Sequence, residues 1–279
     1  MCDAEEEDSS WDDRNLLDEI LSADSGTASW TAFHFTTPGS QTLAIDVLLS
    51  RMQVWGSAVH VAHWLAANDT LFTGRSVAEL GAGAGLPSLV CAALGADSVL
   101  ATEVIQQAIG LLDEAAKHNA LAPTLRAGYL DWFDALKQEA SPEKKTLEVD
   151  SPWAPVDIVI AADCNYFSDA VPALLATFQV LVRPGGTLLL ASREQRIGLK
   201  HCLEQLTSES SDFTLSDCVC FGEYAGSWVQ EPLQLRAECR DQPCPMAAEG
   251  ADIIEDNAPH KLWVFHRTSG LPKRMELSG

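Results

Sequence analysis

Basic residues are scarce in this sequence: 18 lysines and arginines stand against 40 aspartates and glutamates, which gives a formal net charge of −22. Nucleic-acid binding is therefore disfavoured, because the phosphates would be repelled, and a basic protein partner is favoured. No run of 18 apolar residues occurs, so we expect no transmembrane helix and no membrane contact. The eight cysteines form no CxxC pair, so we expect reduced thiols and neither a metal site nor a disulfide framework.

A basic and apolar leader is also lacking in the first residues, which read M-C-D-A-E-E-E-D, so we expect no signal peptide and a cytoplasmic or nuclear protein. Residues 1–29 hold ten acidic residues and one basic residue, Arg14, which predicts an acidic, disordered tail. We expect residues 30–279 to form a single domain and the protein to be a monomer. Two polar stretches, at about 137–155 and 229–258, are interpreted as loop insertions.

Three glycines, Gly81, Gly83 and Gly85, follow a short apolar stretch at 76–80 that predicts a buried strand. Glycine lets a backbone turn sharply and approach a ligand closely, because it has no Cβ. Leu86 and Pro87 come next, and proline suits the first turn of a helix. A strand, a glycine turn and a helix N-terminus together form the place where α/β sheets bind nucleotide-like cofactors.

Strands and helices alternate along the chain from this point. Apolar patterns predict strands at 98–102, 125–130, 156–161 and 187–191, and helices at 86–94, 105–119, 171–182 and 197–206. The R-P-G-G segment at 183–186 is interpreted as a turn before the strand at 187–191. Two further strands, 213–221 and 261–266, follow with no helix between them. We therefore predict an α/β fold with a doubly wound, mainly parallel, Rossmann-like sheet of seven strands, one of which is an antiparallel edge strand.

The region before the glycine turn contains two more elements. Alternating residues on both sides of Pro38-Gly39-Ser40 predict a small N-terminal hairpin. A helix is predicted at 54–66, and its apolar face omits His60 and His63. We interpret these two histidines as surface or rim residues without a role as ligands.

The glycine spacing separates two kinds of cofactor. A dinucleotide fingerprint is G-x-G-x-x-G, whereas this sequence has G-x-G-x-G with Leu86 where the third glycine would fall. Glu79 stands two residues before Gly81, and its carboxylate would repel a pyrophosphate but suit a cationic ligand. S-adenosyl-L-methionine carries a sulfonium and an ammonium and no phosphate. The pattern therefore favours S-adenosylmethionine over NAD.

Acidic and aromatic residues at the ends of the next two strands fit the same cofactor. Glu103 closes the second strand, where a carboxylate can accept hydrogen bonds from both ribose hydroxyls. Asp131 and Trp132 close the third strand. The indole could flank the adenine ring, and the carboxylate could face its exocyclic amine.

Four motifs occur in order between Trp55 and Tyr166: V-W-G-S-A, E-L-G-A-G-A-G-L-P, L-D-W and A-A-D-C-N-Y. In these the sequence resembles family 16 of the seven-β-strand (class I) methyltransferases, the branch of protein-lysine methyltransferases with a D-x-x-Y motif after the fourth strand. The resemblance implies one methyltransferase domain over 30–279. It assigns Trp55 to the methionine end of the cofactor, and Trp132 and Ala162 to its adenine side. It also implies a glycine loop of Gly81, Ala82 and Gly83. Glu103, which is often Asp in related enzymes, would bind the ribose. Asp163 and Tyr166 match the D-x-x-Y positions.

The resulting hypothesis is in-line transfer of a methyl group to a lysine amine of a protein substrate. The amine must first lose its proton, since the ordinary pKa of lysine is near ~10.4. We expect Asp163 to orient the amine or the loop that encloses it, and Tyr166 to wall the channel. Two alternatives remain open: an N-methyltransferase acting on a small-molecule amine, and a catalytically silent domain that binds partners.

Overall fold

A computed structural model describes residues 28–49, 54–139, 151–221 and 259–269. The predicted acidic tail lies outside these residues except for its last two positions. So do residues 140–150 of the first predicted insertion and the whole of the second, 229–258. Within the described residues, no helix is long and apolar enough to cross a membrane.

Nine strands and six helices make up the described fold. The strands are β1 (Ser29–Thr36), β2 (Thr42–Leu49), β3 (Ser76–Leu80), β4 (Ser98–Glu103), β5 (Leu125–Tyr129), β6 (Val156–Ala162), β7 (Val182–Arg193), β8 (Phe213–Phe221) and β9 (His260–Arg267). The helices are α1 (Gly56–Ala67), α2 (Leu86–Ala93), α3 (Gln106–His118), α4 (Phe133–Glu139), α5 (Val171–Leu181) and α6 (Ile197–Leu206).

Seven of the strands form one sheet in the order β5-β4-β3-β6-β7-β9-β8. The strands from β5 to β7 are parallel, and β9 pairs antiparallel with both β7 and β8. The predicted mainly parallel sheet is therefore confirmed. The antiparallel strand is β9, which lies one position in from the edge, and β8 is the outermost strand beside it.

Helices cover both faces of the sheet, as a doubly wound fold requires. One face carries α1, α2 and α3, whose apolar residues pack with Val77, Ile158 and Ile160. The other face carries α5 and α6, which pack with Val159 and Ala161. Alternate residues of β6 thus face opposite layers, and this is why the central strands read as continuous apolar runs.

The predicted hairpin is confirmed as a two-stranded sheet of β1 and β2. It is fixed to the end of α3, where Asn119 Nδ2 donates to the Asp46 carbonyl at 2.7 Å and Asp46 N–H donates to Asn119 Oδ1 at 2.9 Å. Trp30 stacks on His118 with ring centroids 3.9 Å apart. The hairpin therefore extends the layer of helices that covers one face of the sheet.

Two local predictions were wrong. The R-P-G-G segment at 183–186 was expected to be a turn before a strand, but β7 runs through it, with a register shift opposite Val156–Ile158 and Gly185 at a φ of 77°. Residues 133–139 form α4, whose last turn was included in the predicted loop.

The prediction that His60 is a surface or rim residue was also wrong, because its side chain is completely buried. Its ring stacks on Phe221 with centroids 4.9 Å apart, and the His260 ring lies 4.8 Å away. Burial, with added repulsion from His260 and His63, lowers the pKa of His60 to about 3. Helix α1, which carries His60, has no distinct polar and apolar faces, because the sheet and the hairpin cover it from two sides.

Candidate functional site

The candidate site lies where the parallel strands β4, β3 and β6 end side by side, because neighbouring parallel strands bring their carboxyl ends to one edge. The loop after β3 turns back sharply at this edge: Gly81, Gly83 and Gly85 have φ values of 55°, 54° and 71°. Ala82 N–H donates to the Thr102 carbonyl at 2.9 Å, which fixes the loop to β4. The glycines predicted from the sequence thus occupy a left-handed conformation that other residues adopt only with strain.

Two of these glycines also have close neighbours. A Cβ on Gly81 would lie 3.3 Å from Trp132 Cζ2 and 3.4 Å from Cys164 Sγ. A Cβ on Gly85 would collide with Leu112 Cδ2 of α3. The loop therefore needs glycine for space as well as for backbone conformation.

Glu79 is buried in β3, under the loop, and is not exposed beside it. One carboxylate oxygen, Oε2, accepts hydrogen bonds from the Ser88 backbone N–H at 2.9 Å and the Ser88 hydroxyl at 2.5 Å. Burial raises the pKa of Glu79 to about 8, although the bonds from Ser88 oppose the rise. This carboxyl group is therefore largely protonated near neutral pH, and a nearby cation would favour its ionised form.

Glu103 ends β4 and folds its carboxylate over the glycine loop. Oε2 accepts from Gly83 N–H at 3.1 Å, and Oε1 accepts from Val104 N–H at 2.8 Å and Ile105 N–H at 3.4 Å. The charge is thus held beside the loop by three backbone donors. Gly83 and Glu103, which are 20 residues apart in the sequence, are brought into direct contact.

Asp131 and Trp132 take different places at the end of β5. Asp131 Oδ1 accepts from Phe133 N–H at 3.0 Å, at the start of α4. Trp132 is partly buried against the apolar core on the face of the sheet that carries α5 and α6, and its ring lies next to Gly81. The indole is therefore part of the wall of the glycine loop, as a residue near the bound cofactor would be.

Ala162 closes β6, and Asp163 follows it with a φ of 55°, unusual for a residue with a side chain. Asp163 is 5% exposed, and its N–H donates to the Ala191 carbonyl at 2.8 Å. Oδ1 accepts from Arg193 N–H at 3.4 Å, whereas Oδ2 is buried without a hydrogen-bond partner among the described residues. Such an oxygen is available to a ligand.

Asn165 and Tyr166 continue this segment. Asn165 is buried, and neither polar atom of its amide has a partner in the described part of the chain. Tyr166 is partly buried and contacts the Phe167 ring with centroids 4.5 Å apart. Sequence reasoning assigned no role to Asn165, and only its burial with open hydrogen-bonding capacity points to one.

Trp55 stands just before α1 and is 41% exposed. The guanidinium carbon of Arg196 lies 5.5 Å from the centroid of its ring. Arg196 Nε is also 3.5 Å from Asp163 Oδ1. Sequence reasoning missed Arg196, since no motif around it indicates that it would meet two predicted site residues.

Acidic side chains surround the buried thiol of Cys164 at this edge. The thiol of Cys164 lies between the strand ends, and its Sγ donates to the Leu80 carbonyl at 3.0 Å. Burial raises the pKa of this thiol, and the charges of Glu79, Glu103 and Asp163 raise it further. Three acidic side chains at the ends of β3, β4 and β6 thus converge near Cys164, and a cationic ligand such as S-adenosylmethionine would favour their ionised forms.

Comparison with known proteins gives the family. The model of the lysine methyltransferase family matches residues 50–209, more than half of the chain. Protein-lysine N-methyltransferase EFM3 of Chaetomium thermophilum is 28% identical over 58% of this chain and 48% of its own length. Protein N-lysine methyltransferase METTL21A of Xenopus tropicalis is 30% identical over 50% of this chain and 59% of its own. The chain spans about half the length of the curated relatives that it matches.

Solved structures agree on the fold. A Streptococcus mutans protein described as a candidate SAM-dependent methyltransferase matches with a TM-score of 0.53 and 15% identity, over 86% of this chain and 57% of that one. SMU.776, a candidate methyltransferase solved with SAH, matches with a TM-score of 0.52 and 14% identity, over 84% of this chain and 56% of that one. At this identity the likeness concerns the fold alone, which is that of the class I methyltransferases. The family match and the geometry of the sheet edge agree: this chain belongs to the lysine methyltransferase family.

Proposed function

We propose that this protein is an S-adenosylmethionine-dependent N-methyltransferase that modifies a lysine side chain of a protein substrate. The main support for the proposal is the buried carboxylate of Asp163, whose Oδ2 has no hydrogen-bond partner among the described residues. It lies beside a glycine loop of the type that holds this cofactor. Family membership and relatives named as protein-lysine methyltransferases support the substrate class.

The residues at the sheet edge suit S-adenosylmethionine. In the proposal the loop at Gly81, Ala82, Gly83 and Gly85 holds the cofactor, with Glu103 on the ribose and Trp132 and Ala162 on the adenine side. The proposal assigns Trp55 and Glu79 to the methionine end of the cofactor and Asp131 to the adenine amine. The negative charge of this edge, which already acts on Cys164, supports a ligand that carries a sulfonium and an ammonium. The cofactor supplies an activated methyl group.

The protein must then bring an uncharged amine in line with that methyl group. Alignment supplies most of the rate enhancement, because the leaving group is already activated. In the proposal Asp163 Oδ2, which lacks a partner among the described residues, accepts a hydrogen bond from the amine. Tyr166 and the buried amide of Asn165 enclose it. Desolvation in this segment lowers the pKa of the amine and favours loss of its proton.

The acidic character of the chain supports a basic substrate protein. A net charge of −22 would steer positively charged proteins toward the enzyme and speed their encounter. We also propose that the enzyme acts as a monomer in the cytoplasm or nucleus. The buried free thiols of Cys91, Cys164 and Cys202 suit a reducing compartment.

The test is methyl transfer by the purified protein from labelled S-adenosylmethionine to a cell extract divided into macromolecules and small molecules. Asp163→Ala and Asp163→Asn should lose transfer of label by at least tenfold. Binding of S-adenosylhomocysteine, measured by calorimetry, should stay within a few-fold of wild type. Asp169→Asn is the matched control, because it removes the charge of an exposed carboxylate six residues further along the chain, and it should keep full activity.

The outcomes separate the hypotheses. Label in a protein band that is lost on protease digestion, with methyllysine found after hydrolysis, supports the proposal. Label only among the small molecules would favour an N-methyltransferase of metabolites. Cofactor binding without any transfer would favour a silent domain that binds partners. An unimpaired Asp163→Ala enzyme would exclude the role given to Asp163.

A further inference from the structure

Asp163 and Trp55 approach the same cation, although one follows β6 and the other precedes α1. Arg196 stands in the turn between β7 and α6, directly before the first helical residue Ile197. Its Nε lies 3.5 Å from Asp163 Oδ1, and its guanidinium carbon lies 5.5 Å from the Trp55 ring centroid. The Asp163 side chain is 3% exposed and that of Arg196 is 21% exposed. This is a mostly buried bridge between two residues of the candidate site.

The start of α6 is held against the Asp163 segment by a second contact. Gly198 N–H donates to the Asn165 carbonyl at 3.2 Å. A Cβ at Gly198 would lie 2.5 Å from that carbonyl oxygen, so only glycine allows the helix to come this close. The backbone that follows Arg196 is therefore packed directly against the segment that carries Asp163.

We propose that Arg196 is a positioning residue that balances the charge of Asp163 and holds Trp55 at the entrance to the site. This inference rests on the proposed function. Asp163 uses Oδ1 toward Arg196 and leaves Oδ2 for the substrate. A guanidinium is always charged at physiological pH, so the pair presents little net charge to an incoming amine.

The charge balance matters because a lysine amine must be uncharged to react. A lone carboxylate within about 4–6 Å would stabilise the ammonium form and raise the pKa of the amine by roughly 1–3 units. Arg196 opposes that effect while Asp163 Oδ2 still accepts a hydrogen bond. Loss of the guanidinium should therefore shift the pH profile of the methyl-transfer rate to higher pH.

Other charged groups lie near Asp163 and Arg196. Glu194 forms an ion pair with Lys261, so the two together contribute little net charge. Arg193 meets Asp163 through its backbone N–H. The other ionisable groups that contact Asp163 or act on the adjacent Cys164 are Arg193, Glu79 and Glu103, and Tyr166 lies in the same segment.

The first arm of the test needs no substrate. Arg196→Gln should change the tryptophan emission of the wild-type protein, and the same substitution in a Trp55→Phe background should leave emission unchanged. Arg183→Gln is the matched control, because Arg183 forms an ion pair with Asp157 at the opposite end of β6. It should give no Trp55-dependent change. Equal changes with and without Trp55 would overturn the bridge.

The second arm measures the pH profile of methyl transfer to the protein fraction that the wild-type enzyme labels. The profile of Arg196→Gln should shift upward by about one pH unit, which corresponds to roughly tenfold lower kcat/KM near pH 7 and convergence with wild type at high pH. Arg196→Lys should restore the wild-type profile, and Arg183→Gln should keep it. Binding of S-adenosylhomocysteine by Arg183→Gln should stay within about twofold of wild type.

The two failures are distinguishable. A lower rate of Arg196→Gln at every pH, without a shift, would mean a structural role and overturn the proposal. Absence of transfer by the wild-type enzyme would overturn the proposed function and with it the role of Arg196 in amine deprotonation. The emission arm would still decide whether Arg196 holds Trp55.

Discussion

Replacement of Gly85 by alanine tests whether the glycine loop is fixed by backbone conformation and packing together. Gly85 has a φ of 71°, and an added Cβ would collide with Leu112 Cδ2 in the core. Gly74 offers a matched control, because its φ is 66° and a Cβ there would meet nothing within 4 Å. Both substitutions place an alanine in a left-handed conformation, but only Gly85→Ala adds a collision with a neighbouring side chain.

The expected magnitudes follow from these two terms. A left-handed conformation costs a residue other than glycine about 1–2 kcal/mol, and an extra methyl group in a packed core costs about 1–3 kcal/mol. Gly74→Ala should lower the free energy of unfolding by about 1–2 kcal/mol, and Gly85→Ala by about 2–5 kcal/mol. The gain from a stiffer unfolded chain applies equally to both and cancels in the comparison.

Equilibrium unfolding in urea measures both free energies, provided that the dependence on urea concentration is the same in the variants. Leu112→Ala, combined with Gly85→Ala, completes a double-mutant cycle. Removal of the clashing side chain should make the double variant about 1–3 kcal/mol less destabilised than the sum of the single variants. Equal destabilisation by Gly74→Ala and Gly85→Ala would refute the reasoning, since no packing cost would then exist.

Two further predictions concern pH. Burial raises the pKa of Glu79 to about 8, and a cationic ligand favours the ionised carboxylate, so S-adenosylmethionine should bind more tightly as pH rises from 6 to 8, by up to about tenfold per unit. Calorimetry should find this dependence in the wild type and not in Glu79→Gln; a wild-type affinity that is flat with pH would contradict it. The folded-state pKa of His60 is lowered from 6.5 to about 3, so stability should fall as pH drops from 6.5 toward 3, by at most about 1.4 kcal/mol per unit. Urea unfolding should find a smaller slope in His60→Gln than in the exposed-site control His118→Gln, and an unchanged slope would exclude this role.

The comparison between sequence and structure separates two kinds of information. The glycine turn could be read from the sequence because its demand is local: Gly81, Gly83 and Gly85 are needed by the backbone at their own positions. The parallel order of strands could be predicted from the alternation of apolar strands and helices, because connections of this kind favour one handedness and one layer arrangement. Asp163 could be placed at the end of a strand for the same reason.

His60 and the R-P-G-G segment illustrate what local patterns miss. His60 belongs to a helix covered on two sides, so the usual contrast between apolar and polar faces is absent. Residues 183–186 are of types that favour turns. Val182 nevertheless pairs with β6, so that the strand includes these residues, and Gly185 has a left-handed conformation. Tertiary contacts outweigh local preference at both places.

The sheet, the glycine loop and the strand ends next to Glu103 and Asp163 could be predicted from the sequence alone, because they depend on backbone conformation and on the period of apolar residues. The burial of Glu79 under the loop and the contacts of Arg196 with Asp163 and Trp55 became visible in the folded structure. The physical reason is that charge and burial depend on which residues meet in space, and residues far apart in the chain meet only when the sheet and its helices are assembled.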